Sequence, residues 1–360
     1  MSKGQGSRDV ICDFNGGGVR AVYVTESGVL ESKDVPSVVP NEHEVRIEVA
    51  VAGVCGSDLK NIDNPVVVPQ IPGHECSGKI IELGHGCRED LVVGQRVTVF
   101  PMIGCGRCPA CRAEVYRDCP YKQSLGFELP GAFAEEVKVP DAFVIPMREE
   151  MSYEQGSFVE PLSCGLRLVM EILSYDGFSP DSRVLIIGDG PLAFMDLMAL
   201  GWAGFNDTCL VGKHDYRKSL ALRIGVSHVV DYARIQDLSF FERFDVCILA
   251  ARAASTLKDV IPFVENRGLF LPQVRVGDQI LEEQIRAKLL IGRAFAYLRD
   301  DFFEVMQFIV DNGFDVNDIV TQRCTFHDLP SGIKKFYCKR DTGKVLIINP
   351  TFQESVESIH

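Results

Sequence analysis

The sequence has little positive charge for its size. Its 360 residues include 37 lysines and arginines against 50 aspartates and glutamates, and the formal net charge is −13. A chain this acidic is repelled by nucleic acid and by anionic membrane surfaces, so we expect neither as a partner. No apolar run is long enough to cross a bilayer. Residues 1–18 lack the apolar core of a secretory signal, and we expect them to form a flexible leader.

Paired cysteine spacings are also missing outside one cluster, although the chain contains 13 cysteines. A secreted disulfide scaffold would show such pairs, so we expect a reducing, cytoplasmic compartment. The exception is Cys105-x-x-Cys108-x-x-Cys111 followed by Cys119. Four thiolates at these spacings can hold one tetrahedral zinc ion, which supplies folding energy where small and polar residues build no core. A redox or disulfide cluster is the less favoured alternative.

The hydrophobic pattern divides the chain into two kinds of structure. Up to about residue 162, short alternating segments such as 45–51 are separated by prolines and glycines, which is typical of a β-rich domain. From residue 183, apolar segments alternate with helical ones, which predicts an α/β domain with a doubly wound parallel sheet. The final strand, at 345–348, lacks a partner in that unit, so we expect it to return to the first domain. The predicted boundaries are 19–162 and 297–360 for the β-rich domain and 163–296 for the parallel-sheet domain.

A glycine-rich turn follows the strand predicted at 184–187. The sequence Gly188-Asp189-Gly190-Pro191-Leu192-Ala193 has the form G-x-G-x-x-A and opens a helix. The first glycine permits the tight turn, the second lets the backbone approach a pyrophosphate, and the helix N-terminus offers free N–H groups. We therefore predict that a dinucleotide contacts Gly188, Gly190, Pro191 and Leu192.

The end of the next strand indicates which dinucleotide is used. An acid at this place binds the ribose hydroxyls of NAD and would repel a 2′-phosphate. Here the strand ends in Gly212-Lys213-His214, with Arg217 one helical turn further on. Because Lys213 and Arg217 can pair with a phosphate, the sequence favours NADP(H) over NAD(H). The alternative is that both are solvated surface charges and either cofactor is accepted.

Three further segments carry side chains of the types that bind a catalytic zinc ion. They are Gly-Val-Cys55-Gly-Ser57-Asp, Gly-His74-Glu75 and Glu160-Pro-Leu. A thiol, an imidazole and a carboxylate are ligand types that leave a fourth position open for substrate. Each residue has an ordinary alternative, as a core cysteine, a hydrogen-bonded turn histidine or a helix-capping glutamate. Their order along the chain, together with the cysteine cluster and the glycine turn, makes chance a poor explanation.

Taken together, these motifs resemble the zinc-dependent medium-chain dehydrogenase/reductase superfamily, the relatives of alcohol and sorbitol dehydrogenases. The resemblance extends from about residue 19 to 350 and includes Thr342-Gly343-Lys344-Val345. It implies a GroES-like catalytic domain interrupted by a Rossmann domain, with the active site in the cleft between them. It implies two zinc ions per chain and a homodimer or homotetramer. The structural ion would bind the four clustered cysteines, and the catalytic ion would bind Cys55, His74 and a carboxylate from Glu75 or Glu160.

The resemblance also implies an activity, the interconversion of a secondary alcohol and a ketone by hydride transfer with a nicotinamide cofactor. Ser57 would pass the alcohol proton outward, and the Glu-Pro-Leu segment favours a small polyol, sugar-derived or cyclitol substrate. A primary alcohol or aldehyde reductase on the same scaffold is one alternative. A non-catalytic NADP-binding scaffold is another, and the retention of Cys55, Ser57, His74 and Glu160 speaks against it.

Several positions depart from the family pattern, and one of them is Lys60. Lys60 stands where a histidine often closes the proton relay. It could end the relay, touch a cofactor phosphate or bind a polar substrate, and its ordinary alternative is a surface charge.

Overall fold

The computed structural model describes residues 18–25, 28–58, 71–251, 254–274, 276, 279–293, 296–329 and 342–355. The predicted leader, apart from Gly18, and Lys60 lie outside these residues. None of the helices within the described ranges combines the length and apolar character needed to cross a membrane.

Strands dominate the first half of the chain. Its elements are β1 (Val19–Val24), β2 (Leu30–Val35), β3 (Glu44–Gly53), β4 (Glu75–Leu83), β5 (Arg96–Val99), β6 (Met102–Ile103), α1 (Pro109–Arg112), β7 (Gln123–Ser124), β8 (Glu136–Pro140), β9 (Val144–Pro146), α2 (Tyr153–Ser157) and α3 (Val159–Leu173).

Strands and helices alternate in the second half until the last two strands. Its elements are β10 (Val184–Ile187), α4 (Pro191–Trp202), β11 (Thr208–Gly212), α5 (Asp215–Ile224), β12 (His228–Asp231), β13 (Phe244–Leu249), α6 (Ala254–Val260), β14 (Val264–Pro272), α7 (Gln279–Lys288), β15 (Leu290–Ile291), α8 (Asp301–Asp311), β16 (Val320–Cys324) and β17 (Lys344–Ile348).

The β-rich part is built around β3, which alternates buried and half-buried residues at its start and is fully buried from Val49 to Gly53. Its neighbours are β4, β8 and β17, all antiparallel, in a sheet of order β16-β17-β3-β4-β5-β9 with β8 on β3. The last described strand therefore pairs with the first domain. Gly53 at the end of β3 lies opposite Glu75 at the start of β4. This register brings the segments after β3 and before β4 to the same edge of the sheet.

The second half forms a parallel sheet of order β12-β11-β10-β13-β14-β15. Its central strand, β10, is apolar and completely buried, because helices cover both faces of such a sheet. The strand order reverses between β10 and β13, and a crevice opens there at the carboxyl ends of the strands. The predicted fold class, a β-rich domain with a doubly wound α/β domain, is confirmed. The exact domain boundaries stay a prediction.

The helix α3 joins the two parts. Its first turn carries Glu160, and its middle packs against α4 so closely that a Cβ on Gly165 would lie 2.4 Å from the Met195 carbonyl oxygen. Glycine is required at this contact because the backbones approach too closely for a side chain. The close packing holds the start of α3 beside the glycine turn that precedes α4.

Candidate active site

A cavity of about 610 Å³ lies between the β-rich part and the parallel sheet. From the first part, its wall includes Cys55, Ser57, His74, Glu75 and Glu160. From the second part, its wall includes Gly190, Pro191 and Leu192. The residues predicted for the catalytic zinc therefore share one cavity with the residues predicted for the dinucleotide pyrophosphate.

Three of the candidate zinc ligands form a compact group. The ligand atoms of Cys55, His74 and Glu75 all lie within 4.8 Å of one another. They converge because Cys55 follows β3 by two residues, while His74 directly precedes the neighbouring strand β4 and Glu75 begins it. A single tetrahedral ion with bonds of about 2.0–2.3 Å can span such a group, so the donor set fits zinc.

Asp58 orients two of these ligands. It is completely buried, and its carboxylate accepts the backbone N–H of Cys55 at 2.9 Å and that of Gly73 at 3.2 Å. Its Oδ1 also lies 3.2 Å from His74 Nδ1, although the alignment is not that of a regular hydrogen bond. Burial opposes a charged His74, but Asp58 and the Cys55 thiol outweigh it and raise the pKa of His74 well above its usual value. The sequence analysis quoted Asp58 in its motif without assigning it a role.

Replacing Asp58 by asparagine is expected to weaken zinc binding at the Cys55 group by about 10–100-fold. The variant loses the negative charge beside His74, and its amide N–H₂ group opposes one of the two backbone donors. Competition with a chelator, followed by metal analysis, measures the change. Asp181→Asn, at an exposed position, is the matched control. Equal zinc retention in both variants and the wild type would contradict a positioning role for Asp58.

Glu75 has a second partner. The ammonium group of Lys344 donates to Glu75 Oε2, and the two residues are only 2% and 1% exposed. A Cβ on Gly53 would lie 2.2 Å from Glu75 Oε2, so glycine leaves room for this pair. Burial opposes the charge of Lys344, but Glu75 and Cys55 outweigh it and raise the pKa of Lys344. The charge of Glu75 is therefore balanced within the site.

Glu160 occupies the cavity wall but does not join the described group of ligand atoms within 4.8 Å. Its Oε1 accepts the hydroxyl of Tyr297, and both residues are buried. Burial raises the pKa of Glu160 to about 7, against the lowering effect of His74. Of the two carboxylates that the sequence left open, Glu75 belongs to the group formed with the thiol and the imidazole, and Glu160 does not.

The four clustered cysteines converge on one point in a separate lobe. Their sulfur atoms lie within 4.8 Å of one another, with Cys111 Sγ 3.5 Å from Cys108 Sγ and 4.0 Å from Cys105 Sγ. These distances exceed the S–S bond of about 2.05 Å, so these thiols are free. Backbone N–H groups, led by that of Arg107, lower the pKa of Cys105 to about 6. The donor set fits a closed zinc site.

The glycine turn has the backbone that a pyrophosphate requires. Gly188 has a φ of +122°, and a Cβ there would lie 2.7 Å from Ala251 Cβ. A Cβ on Gly190 would meet no atom within 4 Å, so the space in front of α4 is open. Pro191 occupies the first position of α4, and the N–H groups of a helix's first turn are the groups that can bind an anion.

The acid between the two glycines of the turn, Asp189, contacts the end of β11. Asp189, 6% exposed, accepts the backbone N–H groups of Lys213 at 2.6 Å and His214 at 2.7 Å. Its carboxylate also lies 3.0 Å from His214 Nδ1 and 3.9 Å from the Arg217 guanidinium. Gly212 lies beside it, since a Cβ there would come within 3.1 Å of Asp189 Cβ. The four residues predicted to select the cofactor therefore gather around a carboxylate that the sequence analysis had not assigned.

Comparison with known proteins agrees with this geometry. Residues 41–149 match the alcohol dehydrogenase GroES-like domain. The chain is 30% identical over 339 residues to L-threonine 3-dehydrogenase of Mesorhizobium japonicum, covering 89% of this chain and 96% of the relative. It is 28% identical over 316 residues to sorbitol dehydrogenase of Bacillus subtilis, covering 85% and 81%.

A solved structure shows the same fold. A putative zinc-binding dehydrogenase from Sinorhizobium meliloti, bound to NADP, superposes with a TM-score of 0.79 at 22% identity. The match covers 93% of this chain and 100% of that chain. The expectation of a GroES-like domain joined to a Rossmann domain is confirmed.

Proposed function

This chain belongs to the zinc-dependent medium-chain dehydrogenase/reductase superfamily, and on that basis we propose that it interconverts a secondary alcohol and a ketone with NADP(H). The observation that carries the proposal is the single cavity in which Cys55, His74 and Glu75 face the turn at Gly190. L-threonine, oxidised at carbon 3, and sorbitol, the substrates in the names of the relatives, carry hydroxyl groups on secondary carbons. The two substrates share a hydroxyl group on a secondary carbon, and the Glu160-Pro-Leu segment favours a polyol, sugar-derived or cyclitol substrate.

The residues of the cavity have different roles in the proposed reaction. Zinc bound by Cys55, His74 and Glu75 would supply Lewis-acid chemistry at the substrate oxygen. Ser57, on the cavity wall, is placed to take the proton of the alcohol outward. Lys344 balances the charge of Glu75, and Tyr297 holds Glu160 in place.

Apolar side chains line the cavity beside the ligand group. They are Met102, Leu125 and Phe127, and the ring centroid of Phe127 lies 5.2 Å from that of His74. Such a wall keeps water away from the carbon that gives or receives the hydride and holds it against the nicotinamide.

We further infer two zinc ions per chain, one at each of the two ligand groups, and a cytoplasmic homodimer or homotetramer as in the superfamily. Metal analysis of the purified protein tests the stoichiometry. One ion per chain, held by the four cysteines, would favour a non-catalytic scaffold.

The preference for NADP(H) depends on the cations near Gly212. Asp189 is already engaged by two backbone N–H groups and the imidazole of His214, and the guanidinium of Arg217 lies near it. Lys213 is exposed, with its ammonium 5.3 Å from the ring centroid of Tyr232, and is placed to pair with a 2′-phosphate.

Replacing Lys213 by glutamate is expected to lower the ratio of kcat/KM for NADP to that for NAD by about 10–100-fold. The variant removes a cation and places a carboxylate where the phosphate would lie. Gly212→Asp is a poorer test, because a Cβ there already meets Lys218 Cγ at 2.9 Å. Lys122→Glu, an exposed residue of the four-cysteine lobe, makes the same change of charge elsewhere. A ratio that moves equally in both variants would exclude Lys213 as the selector.

The reaction itself is tested with a panel of alcohols and carbonyl compounds, with NADP(H) and NAD(H), followed by nicotinamide absorbance. Turnover is expected with secondary alcohols that carry several hydroxyl groups, and with the matching ketones. Turnover confined to primary alcohols and aldehydes would overturn the assignment of substrate class. No turnover with any pair, in protein that contains both zinc ions, would overturn the proposed reaction.

A further inference from the structure

Asp196 and Gln273 form a buried polar pair that the proposed reaction does not use. Asp196 lies in the second turn of α4, the helix that begins at the glycine turn, and is completely buried. Gln273 directly follows β14 and is 5% exposed. Its amide Nε2 donates to Asp196 Oδ1 at 2.7 Å. A carboxyl group is unusual in such a place, because an isolated buried charge is strongly disfavoured.

The other two oxygens of this pair indicate the protonation state of Asp196. Asp196 Oδ2 and Gln273 Oε1 are both buried, and neither has a hydrogen-bond partner. With an ionised Asp196, two acceptors would be left without a donor. One proton on Oδ2 supplies that donor, and the acid and the amide can then share two hydrogen bonds. Burial raises the pKa of Asp196 to about 8. Cys164 on α3 is a titratable neighbour, and its own pKa is raised first by burial and then by Glu160, Cys55 and Asp196.

The position of Gln273 indicates the function of the Asp196–Gln273 pair. Gln273 lines the cavity together with Ala250, Ala251 and Val274, at the carboxyl ends of β13 and β14. Its backbone N–H donates to the Leu249 carbonyl at 3.1 Å, which ties it to this edge of the sheet. A dinucleotide whose pyrophosphate lies at Gly190 extends along this edge. The amide Nε2 has two N–H groups, and Asp196 uses one of them.

We propose that an un-ionised Asp196 holds the amide of Gln273 so that its second N–H donates to the carboxamide oxygen of the nicotinamide ring. Gln273 is then a cofactor-binding residue and Asp196 a positioning residue that acts through it. The inference rests on the dinucleotide site of the proposed function, and it adds a side-chain contact to the nicotinamide half of the cofactor.

Binding of two ligands tests the contact. The wild type and Gln273→Leu are titrated with NADPH and with 2′-phospho-ADP-ribose, which lacks the nicotinamide ring. Gln273→Leu is expected to weaken NADPH binding about tenfold and to leave the second ligand unaffected. No loss of NADPH affinity, or an equal loss of affinity for both ligands, would overturn this inference but not the proposed function. If the wild type binds neither ligand, the proposed function fails and the inference fails with it.

Variants of Asp196 test the protonation state and need no turnover. Difference infrared spectra of the wild type minus Asp196→Asn, at neutral pH, are expected to contain the carbonyl stretch of an un-ionised carboxylic acid. Asp196→Asn can make the same two hydrogen bonds to Gln273 and should keep the NADPH affinity, whereas Asp196→Ala should lose as much affinity as Gln273→Leu. A carboxylate band in the wild type, or weakened NADPH binding in Asp196→Asn, would overturn the inference.

Discussion

Replacement of Cys55 by alanine is expected to lower kcat by at least about a thousandfold while NADP(H) binding persists. The variant removes one of three ligand atoms that lie within 4.8 Å of one another. A Lewis-acidic ion contributes several kcal/mol to such a reaction, and each ~1.4 kcal/mol corresponds to a factor of ten in rate. Cofactor binding should survive because the glycine turn belongs to the other part of the molecule. Stopped-flow turnover and cofactor titration measure the two effects separately.

The matched control is Cys209→Ala, which removes a buried thiol from β11 instead. It should keep both zinc ions and most of the turnover. If Cys55→Ala turned over like the wild type, or if both variants lost activity equally, Cys55 would not be a ligand of a catalytic ion. A metal analysis of each variant shows whether the loss of activity follows the loss of one zinc.

Replacement of Cys111 by serine should have the largest effect on stability. The short helix α1 buries only Cys111, and the turn at Tyr116–Asp118 buries no residue, so the lobe has almost no apolar core. Structural zinc contributes about 10–16 kcal/mol in small zinc domains, which makes the ion the main source of order here. We expect the variant to lose one zinc, to unfold at a lower temperature and to be cut by protease between residues 104 and 122.

The Cys111→Ser substitution should also disturb the active site. Arg117 donates to the Ala296 carbonyl at 3.1 Å, and Asp118 pairs with Arg293, so the lobe supports the segment that carries Tyr297. Cys87→Ser is the control, because its half-buried thiol donates to the Glu44 carbonyl and belongs to neither ligand group. A variant of Cys111 with two zinc ions and the protease pattern of the wild type would contradict a structural site in this lobe.

The parts of the molecule that could be predicted are those encoded within short segments. The four cysteines lie close together along the chain, and any fold that keeps their spacing brings the thiols within reach of one ion. The turn at Gly188 is equally local, since the tight backbone and the open helix N-terminus depend only on adjacent residues. The hydrophobic pattern likewise indicated both domain types. A strand buried on one face alternates apolar and polar residues, whereas a strand buried on both faces is a continuous apolar run.

Contacts between distant segments could not be read in this way. Lys344 reaches Glu75 across 269 residues, and Tyr297 reaches Glu160 across 137. The acid beside Gly212 also comes from an unexpected place, since Asp189 belongs to the turn after the neighbouring strand and not to the end of β11.

By itself the sequence determined the ligand types, the glycine turn, the two domain types and the family, because each is a property of residue identity and local spacing. Only the tertiary structure decided that Glu75, and not Glu160, groups with Cys55 and His74, because the register of β3 against β4 places Gly53 opposite Glu75. The tertiary structure also decided which buried polar and charged side chains pair with one another. Charge and hydrogen-bond partners depend on distances through space, and the pairing of strands far apart in the chain sets those distances.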